Sequence, residues 1–279
     1  MPPLPRRELR NLVRKLGVAT RPAEQRSALA TLALLSDDEA NLAAIASAGA
    51  IPDLVQILGA GFQTDMQLDA AGTLMNLGRN VDNKAIIAAA GAIPPLVNLL
   101  GPSYSADVQL EAVGALLNLS AHADNNAMIA EAGAIPALVR LLGPGFAAGV
   151  QEDAAGVLGN LAVTPAHTVT IAAAGAIPLL VQLLGPDSQA LTLRYTSNAM
   201  MSFAMNADIV GLVTAAGAIP PLRQLMHSSP DVYTREYALR ALALLGDSEA
   251  GEAIALPIGT AEATAEVQEA MGALHIVSM

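Results

Sequence analysis

The stretch AGAIPPLVNLLG, residues 90–101, decides the fold because its opening pentapeptide recurs along the chain. AGAIP occurs five times, and the interval between successive copies is always the same. This period of about 42 residues is typical of helical solenoids, in which each repeat packs against its neighbours. The copies begin at Ala48, Ala90, Ala132, Ala174 and Ala216.

Each copy has the composition of a corner between two helices. Its glycine follows an Ala-rich run, as expected for the left-handed residue that ends a helix. Its proline comes three residues later, where a new helix can begin without a backbone N–H donor. The positions are Gly49, Gly91, Gly133, Gly175 and Gly217, with Pro52, Pro94, Pro136, Pro178 and Pro220.

After each corner, the rest of the period predicts three helices: the second and third helices of that repeat, and then the first helix of the next repeat. The second helix, IPPLVNLL in the quoted copy, ends at a glycine, and a longer third helix follows at about 107–120. The next first helix is expected to begin near Asn83 or Asn125, since Asn caps exposed N–H groups. One apolar stripe at helical spacing marks the third helix: Val108, Ala112, Leu116 and Leu119. The predicted fold class is therefore all-α, with three helices in each repeat.

Composition and charge narrow the kind of protein. Hydrophobic residues make up 53% of the 279 residues and aromatic residues 3%, so Ala, Leu, Val and Ile must form the core. The formal net charge of −11 argues against nucleic acid as a partner. The chain has no cysteine, which excludes disulfides and thiol catalysis.

The mean hydropathy of +0.46 raises the question of a membrane. Glycine and proline interrupt every long apolar span, so we expect no membrane insertion. The start, MPPLPRRELR, has no apolar core typical of a secretory signal, and Pro2 is incompatible with N-myristoylation. We therefore expect a cytoplasmic or nuclear protein.

The period also predicts the domain organisation. Leu12 and Val13 lie one full period before Leu54 and Val55, so the frame extends to the N-terminus. We predict one domain over 1–279: a cap repeat at 6–47, repeats at 48–89, 90–131, 132–173, 174–215 and 216–257, and a degenerate cap at 258–279.

The patterns AGAIPxLVxLL, VQxxAxxxLxNL and NxxxIAxAG resemble the armadillo repeat. Residues 116–142, LLNLSAHADNNAMIAEAGAIPALVRLL, are most similar to the armadillo arrays of plant-type U-box ubiquitin ligases and vacuolar-protein-8-like scaffolds. A HEAT array, the alternative solenoid, lacks this corner. The resemblance implies a right-handed superhelix whose third helices line a concave groove.

Asparagine recurs at one position of the third helix, in Asn76, Asn118 and Asn160. Asn is unfavourable inside a helix, so its repetition indicates a role. In similar import adaptors and in β-catenin, the matching Asn pairs with the main chain of a bound peptide. A purely structural alternative is a hydrogen bond from each Asn to the next helix.

An acid precedes each Asn by seven residues, at Asp69, Glu111 and Asp153, and therefore lies on the same helical stripe. Asp65 and Asp107 lie one turn earlier. Aligned carboxylates favour a partner with basic residues. The alternative is a solvated helix start, where acids complement the helix dipole.

Two departures from the import adaptors change the expected groove. Gly72, Gly114 and Gly156 stand where the import adaptors have tryptophan. Close approach of a neighbouring helix would explain a glycine at this position, and close approach of a ligand is the less favoured alternative. The last two repeats carry Tyr and Arg, residues favoured as interface anchors. The candidate groove residues at this end are Tyr195, Asn198, Ser202, Tyr237 and Arg240.

No catalytic, metal or cofactor motif stands out in the sequence. The four histidines are scattered, and no Gly-rich phosphate loop follows a strand. Phe62, Tyr104 and Phe146 recur in the loop after the second helix, as loop anchors or, alternatively, as an aromatic ligand stripe. We therefore expect no enzyme and no cofactor.

The predicted function is a scaffold that binds an extended or helical segment of another protein in the groove. One alternative is a nuclear transport adaptor for basic cargo. Another is the substrate-recognition arm of a larger ubiquitin ligase. Only five residues precede the first repeat, so ligase activity within this chain is not expected.

Overall fold

The computed structural model describes residues 5–17 and 20–255, and these residues form eighteen α-helices without a β-strand. The chain divides into two compact units, Met1–Gly133 and Ala134–Met279. The proposed closing cap at 258–279 lies outside the described residues, and the predicted repeat boundaries stay a prediction.

The first unit contains nine of these described helices; the third helix α2 follows α1 alone, and the later third helices each follow a first and a second helix. They are α1 (Arg6–Arg14), α2 (Pro22–Ser36), α3 (Glu39–Ser47), α4 (Ala50–Ile57), α5 (Thr64–Leu77), α6 (Val81–Ala89), α7 (Ile93–Leu99), α8 (Ala106–Ser120) and α9 (Ala123–Glu131). The third helices pack side by side, α2 against α5 and α5 against α8.

The second unit repeats the pattern. Its described helices are α10 (Ala134–Leu141), α11 (Ala148–Leu161), α12 (Pro165–Ala173), α13 (Ala176–Gln182), α14 (Ala190–Ala204), α15 (Ala207–Ala215), α16 (Ile219–Ser228), α17 (Val232–Leu244) and α18 (Ser248–Ala255). Here α11 packs against α14, and α14 against α17.

The predicted corner is present in every copy of AGAIP. All five glycines have a positive φ, between 77° and 87°. The helices on either side of the corner diverge by 92° for α3 and α4, 83° for α12 and α13, and 88° for α15 and α16. A left-handed glycine therefore turns the chain through about a right angle at the same place in each repeat.

The core consists of small and branched aliphatic side chains. The predicted stripe of α8 is buried, with Val108, Ala112 and Leu116 each at most 1% exposed. Alanine occupies the same fully buried position in four third helices, which allows neighbouring helices to approach closely. These residues are Ala70, Ala112, Ala154 and Ala238.

The first helices α6 and α9 begin two residues before Asn83 and Asn125, so the prediction that these asparagines are the caps is wrong. The helix α6 begins at Val81, and Asn80 is its cap, accepting hydrogen bonds from the N–H groups of Asp82 and Asn83. Asn83 and Asn125 are buried instead and donate from Nδ2 to the carbonyl oxygens of Leu77 (3.0 Å) and Leu119 (2.9 Å). Each of these two asparagines satisfies a carbonyl at the end of the preceding third helix.

No single helix in residues 5–17 and 20–255 is long and apolar enough to cross a bilayer. Three bent helix pairs, α3 with α4, α12 with α13 and α15 with α16, meet the length and composition criteria together.

Replacing the corner glycine after α15 tests the importance of its left-handed backbone. We expect Gly217→Ala to lower the free energy of unfolding by about 1 kcal/mol or more, because an L residue is strained at φ 81°. Gly211→Ala, inside the same α15 with open space around it, is the control and should raise stability by up to about 1 kcal/mol. Urea titration followed by circular dichroism measures both changes. Equal effects of the two variants would contradict the role of the corner.

Candidate functional site

The candidate groove residues lie on the third helices, as the sequence predicts. In the first unit they are on α5 and α8, and in the second unit on α11, α14 and α17. Ser202 is 2% exposed, and the other ten residues are half-buried. They are Asp69, Asn76, Glu111 and Asn118 in the first unit, and Asp153, Asn160, Tyr195, Asn198, Ser202, Tyr237 and Arg240 in the second.

The Asn column of the first unit contacts the preceding third helix. Asn76 donates from Nδ2 to Ser36 Oγ and Asp37 Oδ1, both at 3.1 Å. Asn118 donates from Nδ2 to the Met75 carbonyl at 2.8 Å. The stacking role is therefore present in both residues. Because the nitrogen makes these bonds, the side-chain oxygen is the group suited to accept an N–H from a ligand.

The acids of the first unit form one electrostatic cluster. Burial raises the pKa of Glu111, and the negative charges of Asp107, Asp37 and Asp69 raise it further. Burial, followed by the charge of Asp65, raises the pKa of Asp69. We call Asp37, Asp65, Asp69, Asp107 and Glu111 the acidic cluster. Its like charges repel one another, and a cation beside them would relieve that repulsion.

Gly72 provides the space for the Glu111 carboxylate. A Cβ atom added at Gly72 would lie 2.9 Å from Glu111 Oε2, closer than real Cβ atoms come. The glycine on α5 therefore lets an acid from α8 fold over the helix backbone. This contact bears out close approach from the neighbouring helix, with a side chain as the approaching group.

Basic side chains already reach the edge of the acidic cluster. Arg26 Nε lies 3.5 Å from Asp65 Oδ2, with both side chains about half exposed. An exposed pair of this kind contributes little to stability. It shows that the cluster accepts a guanidinium group at its rim.

The second unit has a different surface, in which Tyr residues stand at the acid position. Burial raises the pKa of Tyr195, and the nearby charges of Asp153 and Glu152 add to this effect. The pKa of Tyr237 is raised chiefly by burial. Arg240 pairs with Glu236 at 2.6 Å within α17. This part of the site therefore combines phenol groups with paired charges.

The second unit also contains a cluster of Arg194, Asp231 and Tyr233 that was not predicted from the sequence, and we call it the lock. Arg194 on α14 donates to both carboxylate oxygens of Asp231, at 2.6 and 3.0 Å, and its guanidinium lies 4.8 Å from the ring centre of Tyr233. Burial raises the pKa of Asp231, but the bonds from Arg194 and Thr234 outweigh it and lower the pKa to about 2. No sequence column marks this set, because Asp231 and Tyr233 each occur once at their position in the repeat, and Arg194 has only Arg26 as a counterpart.

A glutamine of the third helix, whose role was not predicted from the sequence, binds the end of the preceding second helix, and we call this contact the glutamine clamp. Gln67, Gln109 and Gln151 each donate from Nε2 to two carbonyl oxygens at the end of the preceding second helix, at 2.8 to 3.2 Å. Arg235 makes the same kind of contact with Ser229 and Pro230. The recurrence of this glutamine in four successive repeats, from Gln25 to Gln151, is the signal that could have revealed the clamp.

The loop aromatics contact the preceding second helix. Asn98 donates to the Tyr104 hydroxyl at 3.2 Å, and the Arg140 guanidinium lies 5.2 Å from the ring centre of Phe146. These contacts support loop anchoring. Among residues 5–17 and 20–255, no group of three His, Asp or Glu side chains has the arrangement of a metal site.

The family model for the armadillo/beta-catenin-like repeat matches residues 80–121, 122–163 and 206–246. Its first two matches are consecutive and equal in length, and each spans one period of the AGAIP corner. A comparison with curated proteins finds no significant match.

Solved structures of designed armadillo repeat proteins are similar to the chain. One is 27% identical with a TM-score of 0.76, covering 85% of this chain and 99% of its own. A second, computationally designed for modular peptide recognition, is 26% identical with a TM-score of 0.74 and the same coverage. A third, solved in complex with the peptide (KR)4, is 27% identical with a TM-score of 0.72, again over 85% and 99%.

Residues 80–163 and 206–246 are therefore armadillo repeats, and the fold of the chain is similar to that of solved armadillo solenoids. The predicted all-α armadillo class is confirmed. This fold generally serves as a non-enzymatic scaffold.

Removing Asn118 tests the stacking role of the Asn column. We expect Asn118→Ala to lower the free energy of unfolding by about 1 kcal/mol, because the Met75 carbonyl loses a neutral hydrogen bond on a half-buried surface. Gln109→Ala should cost about 1–3 kcal/mol, since it unpairs two carbonyls beside a buried side chain. Chemical denaturation measures both. An Asn118→Ala variant as stable as wild type would leave ligand contact as the reason for this residue.

The raised pKa of Glu111 predicts a pH-dependent effect of Glu111→Gln. Below the ordinary pKa of 4.5, Glu111 is protonated in both states and the variant should match wild type. As the pH rises through 4.5 and the raised folded pKa, wild type loses stability because the folded state holds the proton more tightly. The variant should therefore gain stability relative to wild type toward neutral pH. Unfolding curves across this range, with the exposed Glu131→Gln as control, measure the difference; a constant difference at all pH values would contradict the assignment.

Proposed function

We propose that this chain is a non-catalytic scaffold that binds an extended or helical segment of another protein along the face of its third helices. The observation that carries the proposal is the alignment of half-buried carboxylates and amides on α5 and α8. Each of these two adjacent helices presents one carboxylate and one amide at the same positions. A segment of another protein that lies across the helices would therefore meet the same two groups once per repeat.

The acidic cluster favours a segment that contains Lys or Arg. Burial and the charges of Asp107, Asp37 and Asp69 raise the pKa of Glu111, so an incoming cation would gain more here than at an isolated surface acid. A designed armadillo protein of the same fold, 27% identical to this chain, was solved with a (KR)4 peptide. That complex supports a basic segment as the partner of the first unit.

Asn76 and Asn118 would bind the main chain of such a segment through their side-chain oxygens. Their nitrogens donate to the preceding helix and fix the orientation of each amide. A fixed acceptor loses less conformational freedom on binding than a free side chain. Asn160, half-buried at the same position of α11, is the equivalent residue in the second unit.

The second unit would bind a chemically different part of the partner. On α14 and α17, Tyr195, Asn198, Ser202, Tyr237 and Arg240 offer aromatic and hydrogen-bonding groups, while α11 keeps the carboxylate of Asp153. Tyr and Arg are common anchors of protein interfaces. We propose a partner whose basic stretch contacts the first unit and whose less basic stretch contacts the second.

Two narrower roles agree with the same surface. A basic segment is also what a nuclear transport adaptor would carry, and a groove of this kind can serve as the recognition arm of a larger ubiquitin ligase. In each case the chain would act in the cytoplasm or nucleus on a protein partner, without nucleic acid, membrane insertion or cofactor.

Fluorescence anisotropy with a labelled eight-residue peptide of alternating Lys and Arg tests this proposal. We expect saturable binding that the double variant Asp69→Asn/Glu111→Gln weakens by about tenfold or more, since two charged contacts are lost. An acidic peptide of equal length should not bind.

The control is the double variant Asp124→Asn/Glu131→Gln, which changes the net charge equally but lies on the exposed first helix α9. It should leave peptide affinity within about twofold of wild type, because these acids are remote from the third-helix face. Equal losses in both double variants would assign binding to overall charge and refute a groove site.

A further inference from the structure

Charge is distributed unevenly along the chain. Residues 1–36 contain seven of the fourteen Lys and Arg side chains but only two of the twenty-five acids, a net charge of +5. Residues 37–279 contain the other seven cations and twenty-three acids, a net charge of −16. The N-terminal end is thus a basic surface on a strongly acidic protein.

Four arginines form a stripe on α1. At about 100° per residue, Arg6, Arg10, Arg14 and Arg7 fall within about 100° of one another around the helix. All four are exposed, whereas Leu9 and Val13, on a stripe turned by about 90° around the helix, are 3% and 5% exposed. The buried leucine and valine hold α1 against the protein and direct the arginines outward. We call these four residues the arginine face.

The arginine face is not neutralised by the described part of the protein. No ion pair among residues 5–17 and 20–255 includes any of the four arginines. The recorded side-chain bond of Arg10 is to the Arg6 carbonyl at 3.4 Å. Four adjacent guanidinium groups of like charge favour an anionic surface that approaches from outside.

The spacing of the arginines matches that of the acids on α5 and α8. Arg6, Arg10 and Arg14 follow one another at four-residue intervals, about 6 Å along a helix axis. The acids form four-residue pairs with the same pitch: Asp65 with Asp69, and Asp107 with Glu111. A helix carrying the arginine face can therefore lie along a helix of the acidic cluster with several pairs in register.

We propose that the arginine face of one copy docks on the acidic cluster of a second copy. Guanidinium and carboxylate groups pair readily, and the single Arg26 Nε–Asp65 Oδ2 contact at 3.5 Å joins α2 and α5 in this way within one chain. The two surfaces are different, so the contact is heterologous, and it adds copies head to tail in an open row unless the rotation between copies closes a ring.

This contact would regulate the groove and in that respect rests on the proposed function. The arginine face and a partner's basic segment would compete for the same carboxylates. Free copies would associate weakly, and a basic partner would separate them. The groove would thus be covered when no partner is present, with electrostatic contacts that exchange rapidly.

Sedimentation velocity of the full chain over a range of concentrations tests the docking. At about 50 mM NaCl the weight-average mass should rise with concentration without reaching a plateau, and at about 300 mM NaCl the association constant should fall by about tenfold or more, as salt screens charge pairs. The variant Arg10→Glu/Arg14→Glu should sediment as a monomer at both salt concentrations. Arg140→Glu/Arg223→Glu, an equal change of net charge elsewhere, should associate like wild type.

A charge-swap mixture identifies the two surfaces. Asp65→Arg/Asp69→Arg alone should be monomeric, and mixing it with Arg10→Glu/Arg14→Glu should restore association, because the face of each variant is complementary to the cluster of the other. Wild type that remains monomeric at the lower salt concentration, or a mixture that does not associate, would overturn the proposal. Binding of monomeric wild type to phosphatidylserine vesicles, lost in Arg10→Glu/Arg14→Glu, would assign the arginine face to an anionic bilayer instead.

Peptide binding by the same variants separates this inference from the proposed function. Normal binding of the Lys-Arg peptide without self-association would refute only the docking. Self-association that the arginine variants abolish, in a protein that does not bind the peptide, would refute only the basic-segment groove.

Discussion

The reversal of the chain at AGAIP is the constraint on which the rest of the structure depends. Each copy places one glycine at positive φ and turns the first helix into the second by about a right angle where the angle is recorded. Since the same turn recurs within each unit, the third helices of one unit lie side by side with the same face presented: α2, α5 and α8 in the first unit, and α11, α14 and α17 in the second. Any residue on that face is thereby repeated in space as well as in sequence, and the Asn and acidic columns follow from this geometry.

A second constraint is the hydrogen bonding of the helix ends inside the stack. Short helices leave many carbonyl oxygens without partners, and burying them unpaired would cost about 1–3 kcal/mol each. The glutamine clamp on the second helix and the buried Asn83 and Asn125 at the end of the third helix satisfy these carbonyls with side-chain amides. The polar groups repeated in this chain therefore have two kinds of use: some hold the stack together, and others face outward.

The repeat class could be predicted from sequence because each signal is local and occurs five times. The corner needs only Gly and Pro at fixed positions, and an apolar stripe such as that of α8 needs only helical spacing. The uses of individual polar residues were harder to predict. Asn83 is a plausible cap from sequence, but the cap is Asn80, because the helix begins two residues earlier than Asn83. The lock of Arg194, Asp231 and Tyr233 joins two repeats and has no repeated counterpart, so periodicity alone could not reveal it.

The exchange of tryptophan for glycine on the groove helices changes how a cation would be recognised. An aromatic ring holds a cation through its quadrupole and excludes water, so its contribution depends only modestly on salt. In this chain Gly72 instead admits the carboxylate of Glu111 into the space where a side chain would stand. The cation would then meet a half-buried, mutually repelling set of charges, whose attraction is strong at low ionic strength and is screened beyond about 8 Å at physiological salt. Selectivity in the first unit would thus depend on the number and spacing of the charges in the segment, and the segment would exchange faster than one held between aromatic rings.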